Sequence, residues 1–309
     1  MEFFIQILIA AVGMGTPLLF ATLGGVIGER AGVINLGMEG LMLVGALVAF
    51  VVMLNTGNYF YAVAAAAFAS GIVSMIHGVV CLMLWASQIA SGLALTFFGT
   101  GLSGFFGDKL TGTTIEPLIR IPIPGLNAIP VLGPVLFNQD ILVYFSYFCV
   151  VLLWWMLFKT RLGLNIRSMG ESPEVCDSLG LSVLGYRFFA VVGGGMLIGI
   201  GGAYFPLALT PFWVDGITAG RGGIAVAWVI FAFWDPIKAL AGAYLFGIAL
   251  ALELRLQILG VEISPYLLKM IPYVLTILVL TLVTIRHNLL GIQVMPAALG
   301  NVFFRGEKH

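Results

Sequence analysis

About nine stretches of this sequence run for some twenty residues with few or no charges, the seventh being shorter, and that repetition limits the fold more than any single motif. They are 3–27, 33–54, 60–86, 88–107, 141–159, 185–209, 219–234, 237–258 and 266–285. A helix needs about 20 mostly apolar residues to cross a bilayer. Lipid offers no partner to backbone N–H and C=O groups, so each stretch has to close its hydrogen bonds within itself. Charged residues are only 9% of the chain against 61% hydrophobic. A soluble domain carries roughly 25% charged residues. The pattern predicts an all-α polytopic membrane protein, a single domain over residues 1–309 with about nine transmembrane helices. The first stretch has no basic flank and exceeds the apolar part of a signal peptide, so it is expected to be a retained span.

Fourteen basic and fourteen acidic residues cancel, which leaves no surface for nucleic acid. Cys81, Cys149 and Cys176 are too scattered for a disulfide framework or a metal site. The chain has no G-x-x-x-x-G-K-[ST] phosphate loop and no H-E-x-x-H pair, and His77, His287 and His309 do not cluster. No catalytic residue, metal site or cofactor is therefore expected in this chain. Segment 108–140, with Asp108, Lys109, Glu116, Arg120 and many Pro and Gly, reads as an external loop. Segment 160–183 is the most charged loop. With it in the cytoplasm, Arg30, Lys159, Arg161, Arg167, Arg187, Lys238, Arg286, Arg305 and Lys308 fall inside, and Lys109, Arg120, Arg221, Arg255 and Lys269 outside. The positive-inside rule then puts the N-terminus outside and the C-terminus in the cytoplasm.

The halves 1–159 and 184–290 flank this loop, and 291–309 is a tail. Each half carries one glycine-rich break, at Gly28 to Gly40 and at Thr210 to Gly223. Breaks at matching positions in halves of opposite direction are the trace of an inverted repeat, and they point to a transport path. Asn35 and Glu39 are four apart, on one helical face. They read either as a polar wall of that path or, with Glu29 and Arg30, as a loop facing water or headgroups. Gln88, Ser91 and Thr96 read as path residues or as helix-to-helix hydrogen bonds. Gly222, in the second break, and Trp228 beyond it join the candidate path. His77 reads as a packed structural histidine.

Within 160–183, Ser172, Pro173 and Glu174 make a helix start and Gly180 a stop. The helix is about two turns, too short to stand alone in water. Val175 and Leu179 give it one apolar stripe. It needs a surface, either its own membrane domain or a separate motor.

Gly28 to Gly40, with Glu29, Arg30, Asn35, Gly37 and Glu39, resembles the signature of permeases of ATP-binding cassette importers for nucleosides and simple sugars, within the wider branched-chain amino acid and ribose permease family. The loop with Arg167, Gly170, Glu171, Pro173, Glu174, Asp177 and Gly180 is similar to that family's ATPase-coupling segment, and Gly220 to Ala227 to its second glycine-rich segment. The likeness covers about residues 15–290. Ser87 and Thr96 depart from the acidic or amide residues common in the family, which bears on substrate identity. The shorter form is similar to the smaller of two non-identical permease subunits. The resemblance implies a bacterial inner-membrane importer of a purine nucleoside or, alternatively, a simple sugar. Its implied partners are a second, longer permease, an extracytoplasmic solute-binding protein and a cytoplasmic ATPase that hydrolyses ATP with Mg. The rival class, an ion-coupled secondary transporter, has Glu39 and Glu253 as its candidate carboxylates.

Overall fold

A computed structural model describes residues 2–259, 264–290 and 295–304. Every apolar stretch becomes helix: α1 Glu2–Arg30, α2 Met38–Thr56, α3 Tyr59–Leu82, α4 Gln88–Gly107, α5 Leu132–Leu136, α6 Ile141–Lys159, α7 Arg161–Glu171, α8 Pro173–Ser178, α9 Val183–Tyr204, α10 Arg221–Phe231, α11 Pro236–Ile258 and α12 Pro265–Leu290. Polar residues between the stretches start these helices. Asn58 accepts from the N–H groups of Phe60 and Tyr61, Asp140 from Leu142 and Val143, and Asp235 from Ile237 just after Pro236 opens α11.

The all-α polytopic expectation holds, while the number of about nine spans is not matched one for one. Among the described residues seven helices are long and apolar enough to cross a membrane. Stretch 219–234 is helical only over the 11 residues of α10, about 16 Å at 1.5 Å per residue, or half a bilayer core. Ala219 and Gly220 before it, and Phe233 and Trp234 after it, have positive φ, which α-helix excludes. The ninth stretch lies in α12, a helix of 26 residues with Pro272 inside it. At the end of α9 a π-helical turn, Phe205–Leu209, surrounds Pro206 and leads into the second break.

α9 is the central helix, packed on α1, α2 and α3, while α1 also packs on α11. Backbones meet at glycines. A methyl on Gly24 would strike the Gly194 carbonyl, one on Gly45 the Gly199 backbone, and one on Gly99 the Gly40 backbone. Close approach of this kind is how helices associate where lipid removes the hydrophobic drive. α4 packs on α2 and leaves Phe97, Phe98, Phe105 and Phe106 exposed, as a bilayer permits.

The connections collect at two ends. At one, the 108–140 loop folds over its neighbours. It forms a short antiparallel pair, β1 Ile121–Pro122 with β2 Asn138–Gln139, and Ile115 N–H donates to Pro211 O. Tyr59 OH donates to Glu116 O, and Arg255 to Gln6. At the other end, α7, α8, the turn after α10 and residues 296–304 meet residues 30–34. The basic loop and the tail thus share one end. Arg305 and Lys308 lie outside the described residues, as does the Arg286 side chain.

Asn58 and Ser172 are exposed at opposite ends, and the native cysteines are buried. An impermeant maleimide is expected to label Asn58→Cys in intact cells and Ser172→Cys only after permeabilisation. The reverse pattern inverts the orientation.

Candidate functional site

After α1 the chain leaves helical geometry for residues 31–37, turning at Gly32 with φ +89°. The N–H groups of residues 31–33 still return to carbonyls of α1, and beyond them the peptide groups of Ile34, Leu36 and Gly37 are met by side chains of α3, α4 and Asn35. Ile34 N–H donates to Gln88 Oε1 at 2.8 Å, and His77 Nε2 donates to Ile34 O at 3.0 Å. Thr96 donates to Leu36 O at 3.1 Å, and Asn35 Oδ1 accepts from Gly37 N–H at 2.8 Å. A carbonyl only accepts, so His77 carries its proton on Nε2, and Nδ1 accepts from Ser91 OH at 3.0 Å. Asn35, Gln88, Ser91 and Thr96, four of the expected path residues, are thus brought together around this break, the first two and Thr96 bonding its backbone directly and Ser91 acting through His77.

Glu39, the second residue of α2, reaches the other break. Its Oε1 accepts from Thr218 OH at 2.5 Å and Gly220 N–H at 2.9 Å, and its Oε2 from Gly222 N–H at 2.6 Å. These amides belong to the free N-terminus of α10, where the helix dipole favours an anion. Charge-assisted bonds each contribute about 1.5–3 kcal/mol, which offsets the cost of holding a carboxylate away from bulk water. Gly222 is required by contact, because a methyl there would fall on the Glu39 backbone. One side chain therefore pins the start of α2 to the start of α10, joining the two halves.

The water-facing reading is overturned for Glu29, while Arg30 is half-buried and borders the cleft beside α8. Glu29 is 3% exposed and accepts from Trp234 Nε1 at 2.6 Å. Arg30 Nε donates to Trp234 O at 3.0 Å and Nη2 to Phe233 O at 3.3 Å. Together they fix the left-handed pair Phe233 and Trp234 after α10. Sequence reading missed this tie, because its partners lie 203–205 residues apart. It also missed Tyr204 OH, which donates to Asp140 Oδ2 at 2.7 Å. Trp228 is 1% exposed, with its ring against Phe231 and Phe246, so in this conformation it is a core residue.

The expected short helix of the basic loop is α8, preceded by the longer α7 that periodicity did not reveal. Pro173 opens α8, and Gly180 with φ +80° follows it. Ser172 makes no side-chain cap bond, since its own N–H returns to Ser168 O as the last turn of α7. α8 is seated through Pro173 and Cys176, and Cys176 packs with Met169, Val183 and Phe303. Val175 and Leu179 point the other way, 57% and 74% exposed. With Leu164, Arg167, Ser168 and Glu171 they line an open cleft of about 540 Å³. Gly170 packs so close to Arg30 O that it has no room for a methyl, and Arg167 stacks over Phe158 at 5.1 Å. Glu174 is exposed and Asp177 half-buried.

Two adjacent glycines test the Glu39 contact. Gly222→Ala drives a methyl into the Glu39 backbone, and overpacking costs about 1–3 kcal/mol. Gly223 has open space where its methyl would go, so Gly223→Ala is neutral or stabilising by up to about 1 kcal/mol. Thermal melts in detergent should separate them; equal melting temperatures would remove the contact.

A profile of the branched-chain amino acid transport system permease component matches residues 7–280. The chain is 39% identical to a putative glucose ABC transporter permease of Haloferax volcanii, covering 97% of each chain. It is 34% identical to the guanosine ABC transporter permease NupQ of Bacillus subtilis, covering 97% of this chain and 96% of that one. It is 36% identical to the nucleoside ABC transporter permease NupC of Lactococcus lactis, covering 98% of each. No solved structure matches the chain. With the profile spanning most of the sequence and full-length relatives above 30% identity, this polytopic chain belongs to the branched-chain amino acid transport system permease family, as a permease subunit of an ABC transporter.

Proposed function

We propose that this chain is the permease of an importer for a purine nucleoside or a related neutral solute, moved by alternating access that a separate cytoplasmic ATPase drives. The carrying observation is the two-sided character of α8. One face is buried on the membrane domain, and the other presents Val175 and Leu179 bare beside a cleft. An ATPase domain is the partner this surface fits, with Arg167, Gly170, Glu171, Pro173, Glu174, Asp177 and Gly180 shaping it. The two halves act as inverted repeats whose breaks meet at Glu39. Asn35, Gln88, Ser91, Thr96 and Gly222 form the path wall by holding its backbone, and Trp228 supports it from behind. A second, longer permease chain and an extracytoplasmic binding protein complete the transporter. The nucleoside reading is supported by the relatives named for guanosine and nucleosides. The relative named for glucose supports a simple sugar as the second reading.

Val175→Asp and Leu179→Asp change exposed side chains only, so stability should move by less than about 0.5 kcal/mol. ATPase co-purification and uptake are expected to fall about tenfold or more, with membrane insertion intact. Normal uptake in both variants would remove α8 as the docking element. The substrate is read by a thermal-shift screen of the cognate binding protein. Nucleosides are expected to stabilise it, and stabilisation by sugars alone selects the second reading. A response to amino acids or phosphate esters only would overturn both.

A further inference from the structure

Arg187 lies in α9 and is fully buried, at 0% exposure. A buried guanidinium is costly unless its donors are matched. Nη2 donates to Met169 O at 3.1 Å and Nη1 to Asn301 O at 3.3 Å, while Nε has no hydrogen-bond partner. Met169 lies in the last turn of α7, where free carbonyls and the helix dipole attract a cation. The guanidinium also abuts the first break, since a methyl on Gly32 would come within 2.7 Å of Nη2. One side chain therefore touches α7, the tail and the turn that follows α1.

Residues 296–304 make the same three-way connection through their backbone. Ala298 N–H donates to Gly170 O at 2.8 Å, and Gly300 N–H to Gly32 O at 3.1 Å. Ala297 N–H donates to Glu171 Oε2 at 3.3 Å. Phe303 is buried with Met169, Cys176 and Val183, and the Phe304 ring meets that of Trp85 at 5.5 Å. Segments near a chain end with no helix or strand fray unless tied down. This one is tied at the end of α7 and at the first break.

Resting on the permease reading above, we infer that Arg187 and the segment 296–304 are positioning elements that carry movement of the α7–α8 unit to the first break. The unit that meets the motor and the turn leading to Glu39 then move as one body. Arg187 hydrogen-bonds to neither α8 nor the braces of residues 34–37 among the described residues, although Glu174 and Cys176 of α8 lie near enough to feel its charge.

The test uses the complete transporter in proteoliposomes, with ATPase, partner permease and binding protein, and measures ATP hydrolysis and uptake together. Substitutions along such a network change coupling by about 2- to 30-fold. Arg187→Lys keeps the charge but not the planar fork that joins two carbonyls. It is expected to lower uptake per ATP about tenfold, with hydrolysis within about twofold of the wild type. Gly300→Ala forces a side chain into φ +80° and against Ile34 Cδ1 at 3.0 Å, while every side chain of the buried cluster stays in place. It is expected to give the same split at about threefold. Combining Arg187→Lys with Phe303→Ala should cost less than the product of the two single losses, because both act on one connection. Equal proportional loss of hydrolysis and uptake, or unchanged uptake per ATP in both single variants, overturns the inference. Failure of the permease reading looks different: the wild-type assembly itself would show no ATP-dependent uptake.

Discussion

The structure depends on satisfying backbone that is not helical inside a chain built for lipid. Residues 31–37 and 210–220 carry peptide groups with no intrahelical partner. In hydrocarbon each such group left unmet costs several kcal/mol. α10 is half the length of a span and ends beside Arg30, which binds Phe233 and Trp234, so its N-terminus and the Glu39 contact lie about 16 Å in from that end. Interrupted backbone at that depth is tolerated only where protein or a water-lined cavity answers it. Gln88, His77, Thr96, Asn35 and Glu39 provide that answer, which explains why polar residues punctuate such an apolar sequence.

The same contact bears on how energy enters. A carboxylate that couples transport to an ion must change partners during the cycle. Glu39 already takes three donors, two of them amides of a helix N-terminus. It serves here as a fixed counter-charge to the α10 dipole. Glu253, the other candidate, is nearly buried and accepts from Gln257 one turn along its own helix. Motion supplied from outside the membrane domain suits this arrangement better than ion binding within it, and the exposed face of α8 offers a place to supply it.

What the sequence revealed was local. Apolar runs and Pro173 with Gly180 act within a few residues, and helix starts and stops followed them, whereas the caps Asn58 and Asp140 were not read from the sequence. The short α10 was misjudged because hydropathy is insensitive to φ, and residues 219–220 and 233–234 leave helical geometry despite being apolar or small. Arg187 was counted as one more cytoplasmic charge, although its surroundings are carbonyls of α7 and the tail. Glu39 drew notice for its rarity, but its partners are 179–183 residues away, beyond any periodicity. For the candidate site, residue type was legible and partnership was not.

The two breaks also differ in how they can let go. Residues 34–37 are held by separate side chains on two helices, and Gln88 and Thr96 are fixed in turn by the packing of α4 on α2. Releasing that segment means losing several independent bonds at about 1 kcal/mol each, plus the cost of the backbone groups then left bare. At the start of α10, Thr218, Gly220 and Gly222 all bond to one carboxylate, Glu39, and Arg221 lies over the Phe205 ring at 5.0 Å. Bonds that share one acceptor break cooperatively, whereas bonds on separate braces do not. The first break therefore rests on several separate braces, and the second on bonds that converge on Glu39. Glu39 stands at their junction, in α2, with its bonds reaching across to the start of α10.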